Sequence, residues 1–342
     1  MRRGGDVAEL IGVERLFSDG YHNAFTDLIF WQGHYYLGFR TAQSHGIVPG
    51  GNVVLYRSND LSQWTLCAQF DTGGDDRDPK LIDAGDRLAV VFGTWFPRWG
   101  DGNKTVLNAE HDLISHVAVS RDGLCWSTPR QVYGVNYWLW RIYADGNGFY
   151  CPAYHFGRRD DRDMRTVHLL YSEDLFDWHL ITQMRSGGGP GEPVLFRTDE
   201  DRLSCIVRTL EPDHHSWIGH SLAPYTQWAW ADLGAMIHAP VVLNVDGQWI
   251  VAGRSQECDL AEGDYEKIEG TDRTHHTSVW RVENEKAVHL LTVPSAGDCS
   301  YAGLAHGQND EVLMSYYSQH KWLPVPAERP TPSDVFLARF RI

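Results

Sequence analysis

Three segments decide the reading of this chain: Ser58-Asn59-Asp60-Leu61-Ser62-Gln63-Trp64, Ser120-Arg121-Asp122-Gly123-Leu124-Cys125-Trp126 and Ser172-Glu173-Asp174-Leu175-Phe176-Asp177-Trp178. All three spell Ser-x-Asp-x-x-x-Trp. Each lies between two strand-like runs: NVVLY and TLCAQF, SHVAV and TPRQVY, TVHLL and HLITQM. Ser and Asp side chains that bond nearby backbone N–H groups, followed by an indole that pins the turn, make a hairpin tip. The copies recur at near-equal spacing, so the chain is built of repeated hairpins.

A second pattern runs offset from the first. An apolar strand, a turn holding Gly or Asp, and a further strand recur six times, beginning at Ala24, Asp78, Trp140, Glu192, His238 and Tyr301. Their spacing of roughly 45 to 65 residues suits a four-stranded propeller blade. After the sixth pair one more strand, DVFLARFRI, ends the sequence, while GVERLFSDG near the start resembles the fourth strands of other blades. The reading is therefore all-β: a six-bladed β-propeller formed by residues 1–342 as one domain. Residues near Val13–Phe17 are expected to complete the last blade, which closes the ring and removes a sheet edge.

Composition agrees. The chain holds 33 Gly, 14 Trp, 15 Tyr and 13 Phe, which suits short strands, tight turns and aromatic packing. A net charge of −15 speaks against a nucleic-acid partner, whose phosphates require a basic surface. Six cysteines are scattered without a CxxC pair, four of them in strand-like runs, so neither a disulfide scaffold nor a zinc site is indicated. No spacing of His, Asp or Glu is diagnostic of a metal, and no cofactor motif is present. Met-Arg-Arg-Gly-Gly-Asp is not followed by an apolar stretch, and no run is long enough to span a membrane, so a cytoplasmic location is expected.

In a propeller the starts of the inner strands and the ends of the second strands meet at one mouth of the central channel. Strand starts bring His22, Asp27, Arg77, Asp78, Trp140, Arg141, Glu192, Asp298 and Tyr301 to that mouth. Second-strand ends bring Arg40, His45, Trp95, Arg208, Arg254 and Tyr317. Five arginines at matching places in different blades (Arg40, Arg77, Arg141, Arg208 and Arg254) suit an anionic ligand, because a guanidinium holds a carboxylate through two parallel hydrogen bonds. Asp78 opens a strand as Asp-Pro, a pairing that also sets turns. Glu192 follows Gly-Gly-Gly-Pro-Gly, which leaves a carboxylate at the channel mouth.

At these residues the chain resembles the sialidase superfamily over nearly its whole length. Glu192 and Arg208 match the Glu that begins blade four and the Arg that ends the next strand; Tyr301-Ala-Gly-Leu matches the Tyr segment of blade six. Arg254 is the candidate for a further arginine. The resemblance implies an exo-acting glycoside hydrolase acting on an acidic sugar. Tyr301 would attack the anomeric carbon, Glu192 would take its proton, arginines would hold the substrate's carboxylate, and Asp27 or Asp78 would protonate the leaving oxygen. Trp140, Tyr317, His22 and His45 would complete the sugar site. The first arginine of the family's (F/Y)-R-I-P segment is missing: Phe25-Thr26-Asp27-Leu28 stands there, with Arg40 or Arg77 as substitutes. Two other readings remain open. One is a polysaccharide lyase in which His22, His45, Tyr316 or Tyr317 works beside Arg40; the other is a glycan-binding propeller without catalysis.

Overall fold

The computed structural model of the protein describes residues 8–96, 112–146, 148–156, 164–260, 263, 265, 275–324 and 331–342. Residues 1–6, read above for a leader segment, lie outside them. Six antiparallel sheets follow one another around a ring. Blade 1 comprises His22–Trp31, His34–Ala42, Asn52–Ser58 and Thr65–Phe70; blade 2 comprises Asp75–Asp83, Leu88–Phe96, Asp112–Ser120 and Arg130–Val132. Blade 3 has a broken inner strand, Tyr137–Leu139 then Tyr143–Ala144, backed by Phe149–His155, Thr166–Ser172 and His179–Ser186. Blades 4 and 5 are Gly191–Arg197, Arg202–Arg208, Trp217–Leu222, Ala229–Asp232, and His238–Val245, Gln248–Gln256, His275–Glu283, Lys286–Val293.

Blade 6 takes three strands from the end of the chain, Cys299–His306, Val312–Ser318 and Asp334–Arg341, and its outer strand from the beginning. That outer strand is Glu9–Phe17, longer than the Val13–Phe17 expected, and it pairs antiparallel with Asp334–Arg341 from Glu9↔Arg341 to Phe17↔Val335. The ring is thus closed by chain ends that are remote in sequence, and the last strand is not left as an open edge. Four inner strands also begin one to three residues earlier than the sequence pattern suggested, and Trp140 falls in the break of blade 3. Alternation there is hidden because both faces of an inner strand are buried.

Packing shows why six blades hold together. Among the described residues, five apolar clusters each bridge two neighbouring blades, and a sixth gathers residues from all six. Tyr36, Val53 and Leu55 of blade 1 meet Leu88, Val90 and Phe92 of blade 2. At the closing seam Leu28, Leu37 and Phe39 of blade 1 meet Leu313, Val335 and Leu337 of blade 6. Each blade buries both faces, so every seam contributes and a single missing strand weakens two of them. Cys151, Cys205 and Cys299 sit buried within strands as small apolar fillers.

The Ser-x-Asp-x-x-x-Trp segments form one turn built three times, between the third and fourth strands of blades 1, 2 and 3. The Ser hydroxyl accepts the backbone N–H three residues on: Leu61 and Gly123 at 2.9 Å, Leu175 at 3.0 Å. The Asp Oδ1 accepts the N–H groups two and three residues on, as Asp174 does from Phe176 at 2.8 Å and Asp177 at 2.9 Å. The indoles of Trp64 and Trp178 donate to the carbonyls of Leu61 and Leu175. The residue three after Ser is left-handed in every copy, with φ of 67° at Leu61, 71° at Gly123 and 78° at Leu175. Both leucines accept that strain and bury their side chains.

Candidate functional site

Five inner strands carry the same irregularity near the channel mouth. Between Ala24 and Asp27, Arg77 and Lys80, Gly191 and Val194, His238 and Val241, and Ser300 and Gly303, three steps on the inner strand face two on its partner. The extra residue makes a β-bulge, which re-aims a side chain and frees backbone groups from the ladder. The residue just inside each bulge is left-handed: Phe25 (φ 62°), Asp78 (57°), Glu192 (49°), Ala239 (50°) and Tyr301 (47°). None is glycine, so each position stores strain of about 1–2 kcal/mol that the surrounding blades must hold in place. The bulges deliver Phe25, Asp78, Glu192 and Tyr301 into one cavity of about 460 Å³.

Glu192 and Tyr301 are joined there. The Tyr301 hydroxyl donates to Glu192 Oε1 at 2.5 Å, and Arg208 Nη1 donates to the same oxygen at 2.5 Å. Arg208 Nη1 also lies 3.4 Å from Tyr301 Oη. The second carboxylate oxygen accepts the backbone N–H of Ala239 at 2.8 Å, a group freed by the bulge of blade 5. Burial alone would push the Glu192 carboxyl up, but the Arg208 guanidinium, the Tyr301 hydrogen bond and Arg254 outweigh it and hold it below the usual range. Glu192 is therefore an ionised, fully bonded acceptor. Burial and then the Glu192 charge push the Tyr301 phenol far up, so it stays protonated until another group takes its proton.

The other residues singled out in the sequence divide into two sets. Arg77, Asp78, Trp140 and His45 line the cavity with Glu192, Arg208 and Tyr301. Asp78 is 4% exposed, its Oδ1 has no hydrogen-bond partner, and burial raises its carboxyl to about 6. Arg77 packs its guanidinium 5.0 Å from the centre of the Phe25 ring, beside the place where the expected first arginine is missing.

Asp27, Arg40, Arg141, Arg254, His22 and Tyr317 do not line that cavity. Asp27 is committed to Arg141 Nη1 at 2.8 Å and to the Leu81 N–H at 2.7 Å, while Arg141 also donates to the Ala302 carbonyl. Arg40 is fully buried and grips both oxygens of Asp75 at 2.8 and 3.1 Å. Arg254 donates to Asp298 Oδ1, the Cys299 carbonyl and Tyr317 Oη, and Tyr317 in turn donates to Asp298 at 2.7 Å. His22 Nε2 contacts Asp298 Oδ2 at 2.9 Å. These arginines share one reason for leaving the pocket: each has an acidic or carbonyl partner within reach, and a buried guanidinium requires one.

Trp95, which the sequence pattern brought to the mouth, lines the cavity with Trp138 and Trp140. Sequence reasoning passed over Tyr154 and Phe156 on the same side, and Ile47, Arg165 and Leu210 around the rim. Trp138 and Tyr154 stack at 5.8 Å with an interplanar angle of 14°, and Trp95 meets Trp138 edge-on. Strand alternation could have pointed to Tyr154 and Phe156 at the end of a second strand; Ile47 and Arg165 sit outside strands and carry no such signal. Beneath the wall lies Lys80, 2% exposed, its Nζ without a hydrogen-bond partner and 4.8 Å from the Trp140 ring centre. Burial lowers its ammonium to about 8.

No protein-family model matches the chain, and no curated protein matches it in sequence. Solved structures do match. A protein of unknown function from Dyadobacter fermentans superposes with a TM-score of 0.79 at 17% identity, over 98% of this chain and 99% of that one. Trypanosoma rangeli sialidase, as a covalent intermediate with 2,3-difluorosialic acid, gives 0.65 at 12% identity over 97% of this chain. The endosialidase of phage phi92 gives 0.64 at 9% identity over 97% of this chain and 69% of its own. The chain spans 59% of the trypanosomal sialidase. The molecule is a six-bladed β-propeller of the sialidase-like fold.

Proposed function

We propose that the protein is an exo-acting glycoside hydrolase of sialidase-like type that removes a terminal acidic sugar. The observation that carries the reading is the Tyr301–Glu192–Arg208 contact, in which one carboxylate oxygen receives both the phenol and the guanidinium. A phenol whose proton is already shared with an ionised acceptor can attack carbon without ever becoming a free phenolate. Tyr301 Oη bonds to the anomeric carbon, its proton passes to Glu192, and the bond to the leaving oxygen breaks. Water then displaces Tyr301 from the sugar, Glu192 returns the proton, and the two displacements retain the anomeric configuration. The trypanosomal sialidase of the same fold has been captured as a covalent intermediate, which supports a two-step course.

The rest of the pocket suits a single sugar. The wall of Trp95, Trp138, Trp140 and Tyr154 offers ring faces to C–H surfaces, while Arg77 and Arg208 supply cationic partners for an acidic substituent. Asp78, on the pocket floor, hydrogen-bonds a hydroxyl of the bound ring. A lyase reading finds less support: Arg40, its proposed neutralising group, is closed off by Asp75, and Tyr316 donates to the Pro294 carbonyl. A panel of aryl glycosides and acidic oligosaccharides, followed for released sugar and for ultraviolet absorbance, tests the proposal. Released sugar without the absorbance of an unsaturated sugar supports hydrolysis. A new double bond seen by absorbance supports a lyase, and binding without turnover supports a binding platform.

A further inference from the structure

We infer that His45 is the group that protonates the departing oxygen and later activates water, with Asp298 as its positioning residue. The inference rests on the hydrolase reading above and adds a role to a side chain on the pocket rim. A proton donor for a leaving group must stand where the aglycone leaves, on the solvent side of the sugar. Asp27 is tied beneath the channel mouth, and Asp78 is 4% exposed on the floor. The His45 side chain lines the same cavity and is 53% exposed, so it stands at the rim.

The ring is held as an acid–base group requires. His45 Nδ1 meets Asp298 Oδ2 at 2.5 Å, which commits the Nδ1 proton to the carboxylate and leaves Nε2 as the working nitrogen. Asp298 is itself fixed by Arg254 at 2.9 Å, Tyr317 Oη at 2.7 Å and His22 Nε2 at 2.9 Å. Edge contacts with Phe25 at 5.5 Å and His22 at 5.5 Å limit its tilt.

The loop that carries His45 is pinned with equal care. Three consecutive carbonyls receive guanidinium donors: Ser44 and Gly46 from Arg40 at 2.8 and 3.0 Å, and His45 from Arg77 at 2.6 Å. Asp75 locks both arginines and accepts the Val48 N–H at 3.3 Å. A loop without helix or strand needs such ties only if its tip must stay in place. Arg40 and Arg254, expected to hold substrate, thus serve His45 from opposite sides.

In the first step His45 Nε2–H gives its proton to the leaving oxygen as the carbon–oxygen bond breaks and Tyr301 Oη bonds to carbon. In the second, neutral Nε2 takes a proton from water while the water oxygen bonds to that carbon and Tyr301 departs with the proton that Glu192 returns.

Leaving-group dependence tests the assignment. With the sugar that the wild type turns over, kcat/KM is measured for the phenyl and the 2,4-dinitrophenyl glycoside in wild type, His45→Gln, Asp298→Asn, Tyr301→Phe and Glu192→Gln. Because the dinitrophenolate leaves unaided, His45→Gln should lose about 100-fold or more on the phenyl glycoside and less than about 5-fold on the dinitrophenyl one. Asp298→Asn should show the same selective loss, smaller in size and in kcat rather than KM. Equal loss on both glycosides, or no loss on either, would overturn the role of His45. Tyr301→Phe and Glu192→Gln should lose both substrates alike. If they retain activity, the nucleophile reading fails independently of the His45 result, which the leaving-group ratio reports alone.

Discussion

Tyr301 and Glu192 occupy the same structural position two blades apart: each is the left-handed residue of an inner-strand bulge, and their side chains meet at 2.5 Å. The strain at both positions is what turns two strand residues toward one another across the mouth of the channel. A third bulge, in blade 5, sends the Ala239 N–H to the remaining oxygen of Glu192.

Arg208 holds the Glu192 carboxyl low, and the base must be ionised to accept the phenol proton. Activity is then present above the Glu192 pKa and lost as pH falls through it. Arg208→Met removes the favourable charge, raises that pKa and shifts the acid limb of kcat/KM to higher pH. The pH profile of the variant checks this, and an unmoved limb contradicts it.

Asp78 has the opposite linkage. Burial raises its folded-state carboxyl to about 6, above the unfolded value, so its contribution to stability is complete at low pH and is lost as pH rises toward 6. The whole shift corresponds to roughly 3 kcal/mol. Urea unfolding between pH 4 and 7 should show Asp78→Asn gaining stability relative to wild type as pH rises. A difference that does not change with pH would contradict the assignment.

Arg77 is cavity-lining, whereas Arg254 spends its donors on Asp298, Cys299 and Tyr317. Arg77→Met should raise KM for an acidic sugar by roughly 10-fold or more, the worth of a charge-assisted hydrogen bond. KM for the corresponding neutral sugar should stay within about 2-fold on the same scale. Equal effects on both would remove Arg77 from substrate recognition.

The turn repeat makes a stability prediction. Asp174 holds two backbone N–H groups and the Ser172 hydroxyl at a hairpin tip. Asp174→Ala should cost about 1–2 kcal/mol in urea unfolding and leave turnover unchanged, because the tip lies between outer strands.

The fold was legible because its signals are local: Ser, Asp and Trp at fixed offsets mark each turn, and the period of the strand pairs sets the blade count. Glu192, Arg208 and Tyr301 were legible as strand starts and ends. The left-handed conformations of Glu192 and Tyr301 were not, since no glycine marks them. The fates of Arg40, Arg141 and Arg254 were hidden for a different reason. Their partners Asp75, Asp27 and Asp298 lie on other blades, and nothing local distinguishes a guanidinium that meets substrate from one that meets a buried carboxylate. His45 was visible as a residue but not as an oriented acid–base group, because the carboxylate that orients it is 253 positions away in sequence.

The central claim is a covalent bond between substrate and Tyr301. Enzyme quenched during turnover of a glycoside with a good leaving group, then digested and analysed by mass spectrometry, measures it directly. The account predicts one glycosyl residue on the peptide carrying Tyr301, absent from Tyr301→Phe, which should be slower by about 100-fold or more. Full turnover by Tyr301→Phe, with no sugar attached to that peptide in the wild type, would contradict it.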